Sequence, residues 1–223
     1  MIHIELQLNN TQLIDAKNFE VFRNDCKTFL ANQHLNFDKF TIVRHDTFIG
    51  YVTEWSIKEY LSKKYASKIA AIQIWEETFD LAKVKNIIAS ARATEGDITY
   101  VKKYFYDQWD LKVTLKTGTI LHIDVKTAFT HLTPNAKWNF MYPVVQANKT
   151  GKDLMILAYY VVSNKTKVES VNALYIVGVI SEQQIKRCPI IKAGTTTKFG
   201  TVSQIDNYLT ELNQHYSDIN ALF

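Results

Sequence analysis

Three charged side chains in the middle of this chain have the types and spacing to do chemistry. Asp110 stands at the mouth of an alternating apolar stretch, Leu111-Lys112-Val113-Thr114-Leu115. Asp124 and Lys126 lie two apart in a second such stretch, Ile120-Leu121-His122-Ile123-Asp124-Val125-Lys126. Alternation of this kind reads as two strands, and Lys116-Thr117-Gly118-Thr119 supplies a glycine for the turn between them. Side chains at i and i+2 of a strand share a face, so Asp124 and Lys126 project together, opposite Ile123 and Val125. Paired carboxylates suit a hard divalent cation such as Mg2+, which takes oxygen ligands and keeps several waters. Such a cation orients water, polarises a phosphoryl oxygen and stabilises a leaving oxygen. A lysine beside it holds or activates the attacking water and offsets charge in the transition state. The plainer reading of the same residues is a surface hairpin with a solvated ion pair. His122 shares the face of Asp124; it is structural or it touches a phosphate.

The elements that must position these groups follow from periodicity. Ile2 to Leu6 alternates and reads as a short strand, and Asp15 to Leu30 as an amphipathic helix with Phe19, Phe22, Cys26 and Phe29 in step. Phe40 to Arg44 reads as a short strand or a loop. A long helical tract follows Thr47, with Tyr51, Glu54, Ile57 and Leu61 on one face. Glu54 on that face is either a snorkelling surface residue or an acid turned into a site. Residues 69–91 carry a second helical pattern, with Ile72, Trp75, Phe79, Ala82 and Ile87 buried. Arg92 to Tyr106 reads as a transition broken at Gly96. Its end, Tyr100 to Tyr106, mixes aromatics with Lys102 and Lys103, as an exposed strand does and as a surface that stacks bases does. Residues 129–152 read as a long polar connection, of the length that often carries function. Two nearly continuous apolar strands follow, Asp153 to Val162 and Asn172 to Ile180, of the kind found in a sheet covered on both faces. Ser181 caps a short helix, Thr195 to Gly200 is loop or edge strand, and Gln204 to Leu212 reads as a final helix.

The 223 residues suit one domain, and 47% hydrophobic with 22% charged residues describes a globular protein with a core. A net charge of +4 permits a polyanion partner without demanding one. Two distant cysteines, Cys26 and Cys188, suggest neither a disulfide framework nor a zinc site. The first residues lack the pattern of a signal peptide, and no apolar run is long enough to span a bilayer. A cytoplasmic location without membrane contact is the expectation.

Taken together, Gly50-x-x-x-Glu54 on a helix, Asp110 opening a strand and Asp124-Val125-Lys126 in the next resemble the PD-(D/E)xK, restriction-endonuclease-like nuclease superfamily. Lys152-Asp153-Leu154-Met155-Ile156 and Leu174 to Ser181 resemble its later strands, so the resemblance covers roughly residues 48–190. The chain departs from the motif where Trp109 precedes Asp110 in place of proline and where Asp124 stands for the commoner glutamate. Asp107 competes for the place of the first acid. The resemblance implies an α/β fold with a restriction-endonuclease-like core, a mixed central sheet of about five strands flanked by helices. An N-terminal addition over about 1–47 and a C-terminal loop and helix over about 191–223 complete a single domain. It implies a type II restriction enzyme or a related defence or recombination nuclease that hydrolyses double-stranded DNA as a homodimer. Asp110, Asp124 and the Val125 carbonyl would ligate Mg2+, for which Mn2+ substitutes. Lys126 would position or activate the water, and Glu54 would be an accessory ligand reaching in from the helix that carries it. DNA contacts would fall to Lys102, Lys103, Asn139, Gln146, Lys149 and Lys198, and base reading to loops near 128–150 and 192–200. The alternative is a non-catalytic nucleic-acid-binding or assembly module on a decayed nuclease fold.

Overall fold

The structure, a computed structural model, describes residues 1–33, 45–148, 151–196 and 203–223. The stretch Phe40 to Arg44 and the residues Lys149 and Lys198 lie outside the described residues. Strand β1 (Ile2–Glu5) leads to helix α1 (Asn10–Asn32), whose start is fixed by Asn9 and Gln12 capping each other's backbone. Helix α2 (Asp46–Lys64) follows, then strand β2 (Ile69–Ile74), a 3-10 turn at Trp75–Thr78, and helices α3 (Leu81–Ala89) and α4 (Glu95–Phe105). The central hairpin is β3 (Leu111–Leu115) and β4 (Ile120–Thr130). Gly118 turns it at a φ of 89°, a conformation that the missing Cβ permits. Beyond it come β5 (Asn139–Pro143), α5 (Val144–Ala147), β6 (Leu154–Val162) and β7 (Val171–Ser181). The chain closes with α6 (Glu182–Ile185), β8 (Ile190–Ile191), β9 (Asn207–Glu211), α7 (Leu212–His215) and a 3-10 turn at Ile219–Leu222.

The main sheet is mixed and has six strands in the order β1-β7-β6-β4-β3-β2, so the fold is α/β. The one parallel pair among the described residues, β4 with β6, sets Asp124 beside Met155 and Lys126 beside Leu157. On one face, Leu111, Val113, Ile123, Val125, Ile156 and Ala158 pack with Ile57 and Leu61 of α2 in a single apolar cluster. On the other face, Met155 packs with Tyr142 and Tyr208, which belong to a second sheet of order β5-β9-β8. Each layer removes apolar side chains from water at about 25 cal/mol per Å² buried, and this double cover explains the unbroken apolar run of β6.

Several expectations are corrected. The sheet has six strands rather than about five, because β1 joins it through β7 instead of standing in an addition. The tract 69–91 is not one helix. Pairing with β3 makes Ile69–Ile74 a strand, and Asp80 starts α3 anew by accepting from the Lys83 backbone. Of its five expected core residues, Trp75 and Ile87 are buried, Ile72 and Phe79 are half-buried and Ala82 is exposed. Tyr100 to Tyr106 is neither strand nor transition but the end of α4. Thr94 and Asp97 form a capping box that places Gly96 inside the first turn, where it breaks nothing. The connection 129–152 contains β5 and α5, and the helix expected at Gln204 to Leu212 is mostly β9, held between β5 and β8.

Candidate active site

Asp110 precedes β3, and its backbone N–H donates to the Ile123 carbonyl, which brings it against β4. Its carboxylate is buried and accepts from the Val125 backbone N–H. Asp124 and Lys126 share a face as their spacing requires, and the Lys126 ammonium donates to Asp124 Oδ1 at 3.0 Å. Two groups that sequence reasoning missed complete the cluster. The Tyr142 hydroxyl of β5 lies 3.3 Å from Asp124 Oδ2. Lys152, two residues before β6, lies 3.6 Å from the same oxygen and donates to Tyr142 at 2.6 Å.

The electrostatics divide the two aspartates. Burial pushes Asp124 up, but Lys126, Lys152 and their hydrogen bonds outweigh it and hold the carboxyl below its ordinary range. Burial and then the Asp124 charge push Asp110 well above the ordinary range, against the opposing pull of Lys126. Lys126 ends above the usual lysine range, because Asp124 and Asp110 outweigh its own burial. One carboxylate is therefore ionised and paired while its neighbour resists ionisation, a division typical of functional sites.

Behind Asp110 lies a second acidic group. Burial, then Asp110, Glu76 and Asp107, raise Glu54 of α2 well above the carboxylate range, with Arg23 opposing. Arg23 of α1 stands 3.9 Å from Glu76 and 3.9 Å from Asp107, its guanidinium 4.7 Å from the Phe105 ring centroid. Asp107 thus pairs with Arg23, while Asp110 reaches the backbone of β4. His122 is drawn off to Asp153 at 3.5 Å and packs against Trp109, a supporting role. Gln146 is near the centre by its backbone, whose carbonyl accepts from Lys152 at 2.8 Å. Asn139 is half-buried opposite Glu211, and Lys102 and Lys103 are exposed on α4. Nothing in the sequence signals Tyr142, because its approach depends on the pairing of β5 with β9. Lys152 carries a faint signal, a lone lysine at the threshold of an apolar strand.

Among the described residues, no three Asp, Glu, His or Cys side chains converge on a common metal position. The pair Asp110 and Asp124 nevertheless offers hard oxygen donors close enough for one charge to raise the other's pKa. That donor set suits Mg2+, which binds through one or two carboxylates and completes its shell with water and phosphate oxygens. No family model, no curated protein and no solved structure matches the chain. No described helix is long and apolar enough to cross a membrane.

Proposed function

We propose that the chain is a divalent-metal-dependent endonuclease of the restriction-endonuclease-like kind, hydrolysing DNA phosphodiester bonds at Asp110, Asp124 and Lys126. The observation that carries the reading is the joining of these three groups across β3 and β4, with Asp110 set against β4 and Lys126 3.0 Å from Asp124. Asp110, Asp124 and the Val125 carbonyl would hold Mg2+ or Mn2+, which when bound supplies Lewis acidity toward a phosphoryl oxygen and a water. In the metal-free protein, Asp124 and Asp110 hold Lys126 above the usual lysine range. Lys126 would position or activate the water and offset charge developing on the phosphate. Glu54 lies in the acidic group behind Asp110 and acts as an accessory through it. The net charge of +4 permits a polyanion, and a homodimer would give each DNA strand its own site.

The test is nicking or cutting of supercoiled plasmid with Mg2+ or Mn2+. Wild type cuts, and Asp124→Ala and Lys126→Ala do not; equal behaviour of all three overturns the reading. One observation favours a non-catalytic DNA-binding module instead: Lys126, Tyr142 and Lys152 already engage both Asp124 oxygens. That reading predicts salt-dependent DNA binding with no cleavage under any metal.

A further inference from the structure

We propose that Lys152 and Tyr142 are a positioning pair that aims the Asp124 carboxylate, so that the second sheet must be docked before the centre can hold a metal. The proposal rests on the nuclease reading above for the use to which Asp124 is put. The Lys152 side chain is only 3% exposed, and its ammonium turns inward on the Tyr142 hydroxyl at 2.6 Å, the Gln146 carbonyl at 2.8 Å and Asp124 Oδ2 at 3.6 Å. An ammonium has three protons and no acceptor; two are donated to Tyr142 and to the Gln146 carbonyl, while Asp124 Oδ2 stands at ion-pair rather than hydrogen-bond distance. With its side chain buried among these oxygens, Lys152 acts on Asp124 and not on a substrate, and is a positioning residue rather than a catalytic one.

The order of donation is then forced. Tyr142 accepts from Lys152, which leaves its own single proton for Asp124 Oδ2 at 3.3 Å. Asp124 Oδ1 is meanwhile held by Lys126 at 3.0 Å. The carboxylate is fixed at both ends, once from its own strand and once from β5 of the other sheet. Tyr142 itself is almost wholly buried and packs with Met155, the register neighbour of Asp124, and with Tyr208 of β9. The Gln146 carbonyl ties α5 to the same ammonium. Docking of the segment β5–α5 and orientation of Asp124 are therefore one event.

Charge and positioning predict opposite outcomes when Lys152 is removed. Lys152→Met deletes a positive charge beside Asp124, which by electrostatics alone tightens cation binding. Loss of aim loosens it. We expect Lys152→Met and Tyr142→Phe each to weaken Mn2+ binding about tenfold by calorimetry, and to lower kcat with KM little changed. The double variant should lose no more than either single one, because both act along one chain of hydrogen bonds. Tyr142→Phe keeps the ring and its packing, and so carries the test if Lys152→Met does not fold. Tighter Mn2+ binding by Lys152→Met, or wild-type values in both variants, overturns the pair's role and leaves the nuclease reading standing. If wild type binds Mn2+ through Asp124, as an Asp124→Ala control decides, yet cuts no DNA, the nuclease reading falls and the pair is judged on binding. If wild type neither binds nor cuts, both fall.

Discussion

Lys126→Met separates a chemical role from a merely structural one. The pair it breaks is partly buried, with side-chain exposures of 25% for Lys126 and 13% for Asp124, at 3.0 Å. With an effective dielectric of about 20, the attraction at that distance is about 5.5 kcal/mol before the cost of removing the charges from water. Breaking a buried pair by losing one partner typically costs about 3–5 kcal/mol, because a bare charge remains. Asp124 is not left bare, since Lys152 stays at 3.6 Å and Tyr142 at 3.3 Å. The expected loss is accordingly smaller, about 2–3 kcal/mol. For a chain of 223 residues, the unfolding entropy is about 0.47 kcal/mol/K, so the melting temperature should fall by about 4–6 °C. Cleavage should fall much further, by about 100-fold or more, since a donor to transition-state charge is gone. Calorimetric melting and a plasmid time course on the same preparation read both. Cleavage within about threefold of wild type, beside the expected drop in melting temperature, would show Lys126 to be only a counter-ion and would refute the mechanism.

Other outcomes follow from the same geometry. Asp110→Asn should abolish cleavage without lowering the melting temperature: the amide oxygen still accepts from Val125, and repulsion from Asp124 disappears; a marked loss of stability would contradict this. Glu54 and Glu76 both titrate above the ordinary carboxylate range, burial being the first cause. Their stabilising contribution is full below an unfolded value of about 4.3 and is lost as pH rises through the folded values. The metal-free protein should therefore melt lower at about pH 8 than at about pH 5, and Glu76→Gln should flatten that slope; an unchanged slope in the variant would exclude Glu76 as its source. Gly178→Ala should cost about 2–4 kcal/mol in urea unfolding, because a Cβ there would stand 2.3 Å from the Ser217 carbonyl oxygen at a φ of +157°. A loss below about 0.5 kcal/mol would mean that the segment around Ser217 gives way easily.

The parts of the architecture that rest on local rules were readable from the sequence. Alternation placed β3 and β4, and the two-residue period alone put Asp124 and Lys126 on one face. Helical periodicity found α1 and α2, and Ser181 announced α6. Except for α4, whose start rests on the local capping box of Thr94 and Asp97, what failed depends on partners distant in sequence. Ile69 to Ile74 has apolar residues spaced as on a helix, yet an open edge beside β3 recruits it as a strand. β9 and β5 look polar and irregular separately and become strands by pairing with each other across about 65 residues of chain. For the same reason the carboxylates could be named from the sequence but Tyr142 could not, since it arrives on the strand that was missed. Lys152 looked like the end of the polar connection before an apolar run, and its burial follows from its contacts with Tyr142 and Gln146 on the segment that was missed.

The pairing of β5 with β9 has a consequence for the order in which a chain emerging from the ribosome acquires its parts. Every charged group of the centre has been added once residue 152 is in place, yet β9 spans Asn207–Glu211. Until those residues are synthesised, β5 has no strand to lie against and Tyr142 lacks its contact with Tyr208. A nascent chain carries Asp110, Asp124, Lys126 and Lys152 early and gains their alignment late, so on the nuclease reading translation itself would delay cleavage.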